Sequence, residues 1–206
     1  MTEPVVLLSA LEGGVLSLTL NRPEKRNALN AALIAALTTE LERADLDAAV
    51  RVVALRGAGK DFCAGADLVE LLASVDHSME ENERSARLLG NVFIRIRELP
   101  KPVVAIVQGR ALAGGAGLAT ACDMVLAAEG AWFGFPEIQR GFVPAMVLAI
   151  LRRLVGERVA FDLVATGLIG GAAYYVALVL FGLMPPEKES VLRMVSKGRG
   201  ASKASA

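Results

Sequence analysis

Four short apolar runs, at residues 15–20, 52–55, 103–107 and 124–127, are separated by longer stretches whose apolar residues repeat with helical spacing, and this alternation narrows the fold most. Runs this short, rich in Val, Leu and Ile, suit buried strands and are too brief for buried helices. A further run at 5–9 joins the first across Glu12-Gly13-Gly14, the pattern of a hairpin. After Asn30, a suitable N-cap, Leu33, Ile34, Leu37 and Leu41 fall on one helical face. Leu88, Leu89, Val92, Phe93 and Ile96 form a second such face, and Pro100 and Pro102 stop that helix. The polar stretch 74–82 before it reads as a mobile loop. Strand, helix, strand, helix implies an α/β layered domain, with apolar helices continuing after Pro144.

With 206 residues, 54% of them hydrophobic, the chain can bury a sizeable core. The reading is one domain over 1–194, followed by a small, polar, basic tail over 195–206 that is expected to be disordered. Lys plus Arg number 22 and Asp plus Glu 22, so no global field favours nucleic acid or an anionic membrane. The uncharged stretch 163–186 is interrupted by Gly167, Gly170, Gly171 and Gly182 and ends in two prolines, which argues against a membrane span. The N-terminus lacks a secretory pattern, so a cytoplasmic location is expected. Cys63 and Cys122 lie in no metal or redox spacing and are read as reduced, packed thiols.

Two glycine-bearing stretches, Phe62-Cys63-Ala64-Gly65-Ala66-Asp67-Leu68 and Gly109 through Gly117, each follow an apolar run soon after it ends. At a strand-to-helix turn the free backbone N–H groups, aided by the helix dipole, attract negative charge. Two such turns converging on one oxygen would form an oxyanion hole for a developing enolate. Nucleotide readings fail. Asp61 follows Gly59-Lys60 where a P-loop needs Ser or Thr, and no Gly-x-Gly-x-x-Gly occurs between Gly109 and Gly117. Asp67 reads as a helix cap, Asp123 as structural, and His77, in a polar stretch without a nucleophile motif, as a solvated loop residue.

Glu137 follows Gly134-Phe135-Pro136 in apolar company that should raise its pKa toward the range of a general acid/base. Together with Asn21-Arg22-Pro23, Asn27-Ala28-Leu29, the 62–68 stretch and the 111–123 stretch, the segment Phe133-Gly134-Phe135-Pro136-Glu137 completes four ordered motifs. In these the chain resembles the crotonase superfamily, the enoyl-CoA hydratase/isomerase family, from about residue 5 to residue 167. The resemblance implies a crotonase-like spiral of ββα units with C-terminal helices, assembled as homotrimers or hexamers. It implies an acyl-CoA thioester substrate, a place in fatty acid metabolism, and no cofactor, coenzyme A being part of the substrate. By it, the oxyanion amides are those of Ala66 and Gly114, and Glu137 moves protons. Lys25 and Arg26 lie near the coenzyme A phosphates, and Ala64, Asp67, Leu68, Gly115 and Gly117 line the substrate site.

One departure bears on the chemistry. The second catalytic glutamate of the hydratases falls at Gly117 here. Hydration needs a base for water and an acid for the alpha carbon, shared as a rule between two carboxylates. The leading expectation is reversible hydration of a 2-enoyl-CoA with Glu137 serving both tasks in turn. The alternatives are a double-bond isomerase and a non-catalytic acyl-CoA-binding protein. Beyond Gly167 the sequence departs from the family pattern and is short, so an altered C-terminus is expected.

Overall fold

The computed structural model describes residues 4–165 and 168–170. The chain opens with the hairpin of β1 (Leu7–Glu12) and β2 (Val15–Leu20), antiparallel from Leu7 opposite Leu20 to Glu12 opposite Val15. Strand β1 therefore begins later and runs further than the 5–9 run suggests. The turn is Gly13 (φ 57) and Gly14 (φ 84), the left-handed pair whose twist matches the flanking strands. Leu16, Leu18 and Leu20 alternate into the core of β2 with no exposed surface.

Helix α1 (Ala31–Leu46) starts where the Asn30 side chain accepts the Leu33 N–H, and it buries Leu33, Leu37, Leu41 and Ala44. After β3 (Val52–Gly57) come the short α2 (Leu68–Ala73) and the long α3 (Met79–Glu98). The polar stretch 74–82 is not a loop: it holds a 3-10 turn, Ser74–Asp76, and the first turn of α3. Ser78 caps α3 through a reciprocal box with Glu81, so the helix begins on polar residues alone. Its core face is Val92, Phe93 and Ile96, whereas Leu88 is 51% exposed.

Then follow β4 (Val103–Val107), β5 (Arg110–Leu112), α4 (Gly114–Ala121), β6 (Met124–Ala127) and β7 (Trp132–Gly134). Helices α5 (Ala145–Val155) and α6 (Glu157–Ala165) and strand β8 (Leu168–Gly170) complete the described chain. One sheet runs β1-β2-β3-β4-β6, parallel from β2 onward. A second runs β5-β7-β8, with β5 parallel to β7. The main core lies between the larger sheet and α1 and α3, and a second cluster joins Ala116 of α4 to Phe135, Val147 and Leu151.

Both cysteines are free and buried. Burial pushes the Cys63 thiol up to about 12 and raises that of Cys122 as well, so both stay protonated at neutral pH. No helix among the described residues is long and apolar enough to cross a membrane. The expected disordered tail at 195–206 and the altered segment from residue 171 lie outside the described residues.

Candidate active site

Main-chain hydrogen bonds stitch the four motifs edge to edge. The fully buried Asn27 organises the first. Its Nδ2 donates to the carbonyls of Ala58 (2.9 Å) and Asp61 (2.8 Å), and its Oδ1 accepts from the Arg22 N–H (3.0 Å). Arg26 and Asn27 sit at φ 51 and 55, a conformation that Asn tolerates and that Asn27 holds by bonding locally. The Ala64 N–H then donates to the Arg26 carbonyl, and the Leu29 N–H to that of Gly65, tying the first motif to the second. The N–H groups of Phe62 and Cys63 donate to the Arg110 carbonyl, and the Leu112 N–H to that of Cys63, tying the second to the third. The Ala113 N–H donates to the Gly134 carbonyl, tying the third to the fourth.

Among the amides this stitching leaves unused are those of Ala66 and Gly114. Leu29 donates to Gly65 and accepts from Asp67, so it brackets Ala66 in an isolated parallel bridge whose bonding turns the Ala66 N–H to the other side. Gly114 is the first residue of α4, where no carbonyl one turn earlier is in place to accept. Among the described residues neither N–H enters a hydrogen bond. The two turns also touch. A Cβ on Gly65 (φ 94) would lie 3.3 Å from the Gly114 nitrogen, and a Cβ on Gly115 only 2.2 Å from the Cys63 carbonyl oxygen. Glycine at both positions lets backbone meet backbone. Between them Ala113 stands at φ 48, ψ −119, a conformation a side chain rarely adopts, just before the Gly114 amide.

Glu137 belongs to the 3-10 turn Pro136–Arg140 that follows β7, directly beyond the fully buried Phe135. Its Oε2 is buried and has no hydrogen-bond partner among the described residues. Burial accordingly raises its carboxyl above the ordinary glutamate range. An unpaired buried carboxyl oxygen is costly and needs a reason.

The other anticipated residues divide into groups. Ala66 and Leu68 are exposed and Ala64 is half-buried. Lys25 and Arg26 are exposed at the 3-10 turn Pro23–Lys25, with the Arg26 Nε 4.0 Å from Asp61 Oδ2. Asp67 is the N-cap of α2, accepting the Val69 N–H at 3.0 Å, and Asp123 accepts the Val103 N–H at 2.9 Å. His77 is exposed at the end of a 3-10 turn. Gly115 and Gly117 are buried. A Cβ on Gly117 would come within 2.8 Å of Val147 and 2.9 Å of the Phe93 ring, so apolar side chains occupy the space next to that position.

Sequence reasoning passed over Asp61 and Arg110. Asp61 is 6% exposed and accepts from the Arg110 N–H (3.0 Å), Nε (2.9 Å) and Nη2 (3.1 Å). Burial pushes its carboxyl up, but the bonds from Arg110 outweigh this and hold it below the usual range. No local signal joins residues so far apart in sequence. A cavity of about 1000 Å³ opens between α3 and α5, walled by Phe93, Ile94, Met146 and Ile150 among others. Its walls do not include Ala66, Gly114 or Glu137.

A profile of the enoyl-CoA hydratase/isomerase family matches residues 10–176. A Thermus thermophilus relative is 44% identical over 178 residues, covering 86% of this chain and 70% of its own length. The 2,3-dehydroadipyl-CoA hydratase of Escherichia coli is 41% identical over 162 residues, covering 78% of this chain and 62% of its own. The crystal structure of an enoyl-CoA hydratase from Mycobacterium smegmatis superposes with a TM-score of 0.81 at 35% identity, over 94% of this chain and 76% of that one. The chain thus spans between 62% and 70% of the length of these two relatives.

Proposed function

The chain belongs to the enoyl-CoA hydratase/isomerase family, and from that premise we propose that it binds an acyl-CoA thioester and hydrates a 2-enoyl-CoA reversibly. The observation that carries this reading is the pair of unused amides, Ala66 and Gly114, on two turns in contact. Aimed at one thioester oxygen, they stabilise the charge that collects there when water adds to the β-carbon. Glu137 takes a proton from the attacking water as the C–O bond forms and the double-bond electrons move to the thioester oxygen. It then returns that proton to the α-carbon as the enolate collapses. The carboxyl, raised by burial, suits a group that must both accept and donate a proton.

Lys25 and Arg26 are assigned to the coenzyme A phosphates, a role that their exposure and positive charge support. Assembly as a trimer or hexamer and a role in fatty acid metabolism are carried over from the family as part of the same proposal.

A second reading, double-bond isomerisation, is favoured by the packing at Gly117. With Phe93 and Val147 against it, the site offers one carboxylate, which suffices to move a proton between carbons. Crotonyl-CoA and a 3-enoyl-CoA, offered separately, divide the two. Loss of the crotonyl-CoA absorbance, reduced about 100-fold or more in Glu137→Gln, supports hydration. Turnover of the 3-enoyl-CoA alone supports isomerisation. Binding of acyl-CoA without turnover of either, with Glu137→Gln no different from the parent, leaves a binding protein and removes the mechanism.

A further inference from the structure

We propose that Arg22 is a positioning residue for the Ala66 amide, acting through Asp67. This rests on the reading of that amide as an oxyanion donor. Helix α2, which follows the amide immediately, buries none of its side chains: Leu68, Val69, Leu71 and Leu72 are all exposed. Packing therefore cannot fix the turn from its downstream side. Polar ties do so instead. The Arg22 guanidinium, 14% exposed, donates from Nη1 to the Ala28 carbonyl (2.5 Å) and from Nη2 to Asp67 Oδ2 (2.8 Å). Asp67, 9% exposed, uses its other oxygen to cap α2 at Val69. One planar cation thus clamps the two segments of the Leu29–Ala66 bridge, at the residue before Leu29 and the residue after Ala66. The bond from Arg22 holds the Asp67 carboxyl below the usual aspartate range, so the pair is charged at working pH.

A flexible ammonium cannot serve both acceptors with this fixed fork. Removing Arg22 leaves Asp67 buried with only its cap, and leaves the Gly65–Ala66 peptide held by the main-chain bonds to Leu29 alone. The amide stays present and keeps its general direction, but it is held less firmly at the place where the oxygen must sit.

The test uses the full chain and crotonyl-CoA. Arg22→Gln is expected to lower kcat roughly ten- to hundredfold, with KM changed far less, because the donor acts mainly on the charge that develops during reaction. In a Glu137→Gln background, the carbonyl stretch of bound crotonyl-CoA, followed by difference infrared spectroscopy, should lose most of its lowering when Arg22→Gln is added. Arg22→Lys should fall between the two and serves in place of Arg22→Gln if that variant does not fold. A full lowering of the stretch together with unchanged kcat, in a folded Arg22 variant, overturns the proposal. If Glu137→Gln itself binds crotonyl-CoA without lowering its stretch, the oxyanion reading falls and takes this proposal with it.

Discussion

Burial raises the Glu137 carboxyl, and the direction determines what pH does. As a base Glu137 must be ionised, so the acid limb of the activity profile should lie above the ordinary glutamate range. For stability the sign is opposite. A folded-state pKa above the unfolded one contributes stability that is present below the unfolded pKa and is lost as pH rises through the folded one. Glu137→Gln, inactive by the reading above, should therefore be more stable than the parent at neutral pH and lose that advantage in acid, as denaturation at two pH values would reveal. Ala113 makes a parallel case in the backbone. At φ 48, ψ −119 its side chain is strained, and Ala113→Gly should raise stability by about 1 kcal/mol. Urea denaturation measures this, and unchanged or lower stability would show that the position is not strained.

At the scale of elements, the helices with an apolar stripe were legible and those without one were not. Asn30 and the Leu33, Leu37, Leu41 spacing define α1 from sequence, and the structure has that cap and that face. The first turn of α3 reads as a loop because residues 74–82 are polar, and no residue of the helix before Val92 is buried. What starts that helix is the box in which Ser78 and Glu81 satisfy each other's backbone, with Glu80–Arg84 and Glu83–Arg87 pairs along its exposed side. The Ser-x-x-Glu spacing is present in the letters, but no apolar periodicity accompanies it there. Ser78→Ala should cost about 1 kcal/mol and fray α3 from its start, visible as faster amide exchange over 79–83 than over 92–96. Strands β5 and β8, of three residues each, carry no periodic signal at all. They exist because β7 offers edges on both sides.

Across the whole molecule, the site depends on how closely α4 approaches the turn bearing Cys63. That distance is limited by Gly115, whose missing Cβ would otherwise reach the Cys63 carbonyl. Gly115→Ala should push the helix and its first amide away from Ala66, at a stability cost of about 1–3 kcal/mol and with a larger loss in kcat than in acyl-CoA binding. Equal losses in both would mean that the mutation acts on folding alone.

The sequence by itself determined the layered α/β plan, the principal strands and α1 and the two glycine turns, because these are local matters of periodicity, capping and turn chemistry, while Glu137 became a candidate through the resemblance that the four motifs carry together. Only the tertiary structure decided which groups are left over. That Ala66 and Gly114 have unused amides follows from hydrogen bonds made by Leu29, Gly65 and Asp67 and from the start of α4, partners that lie tens of residues apart. The packing of Phe93 and Val147 against Gly117, the Asp61–Arg110 pair and the Arg22–Asp67 clamp are of the same kind. Contact between distant residues is set by how elements pack, and no short stretch of letters encodes it.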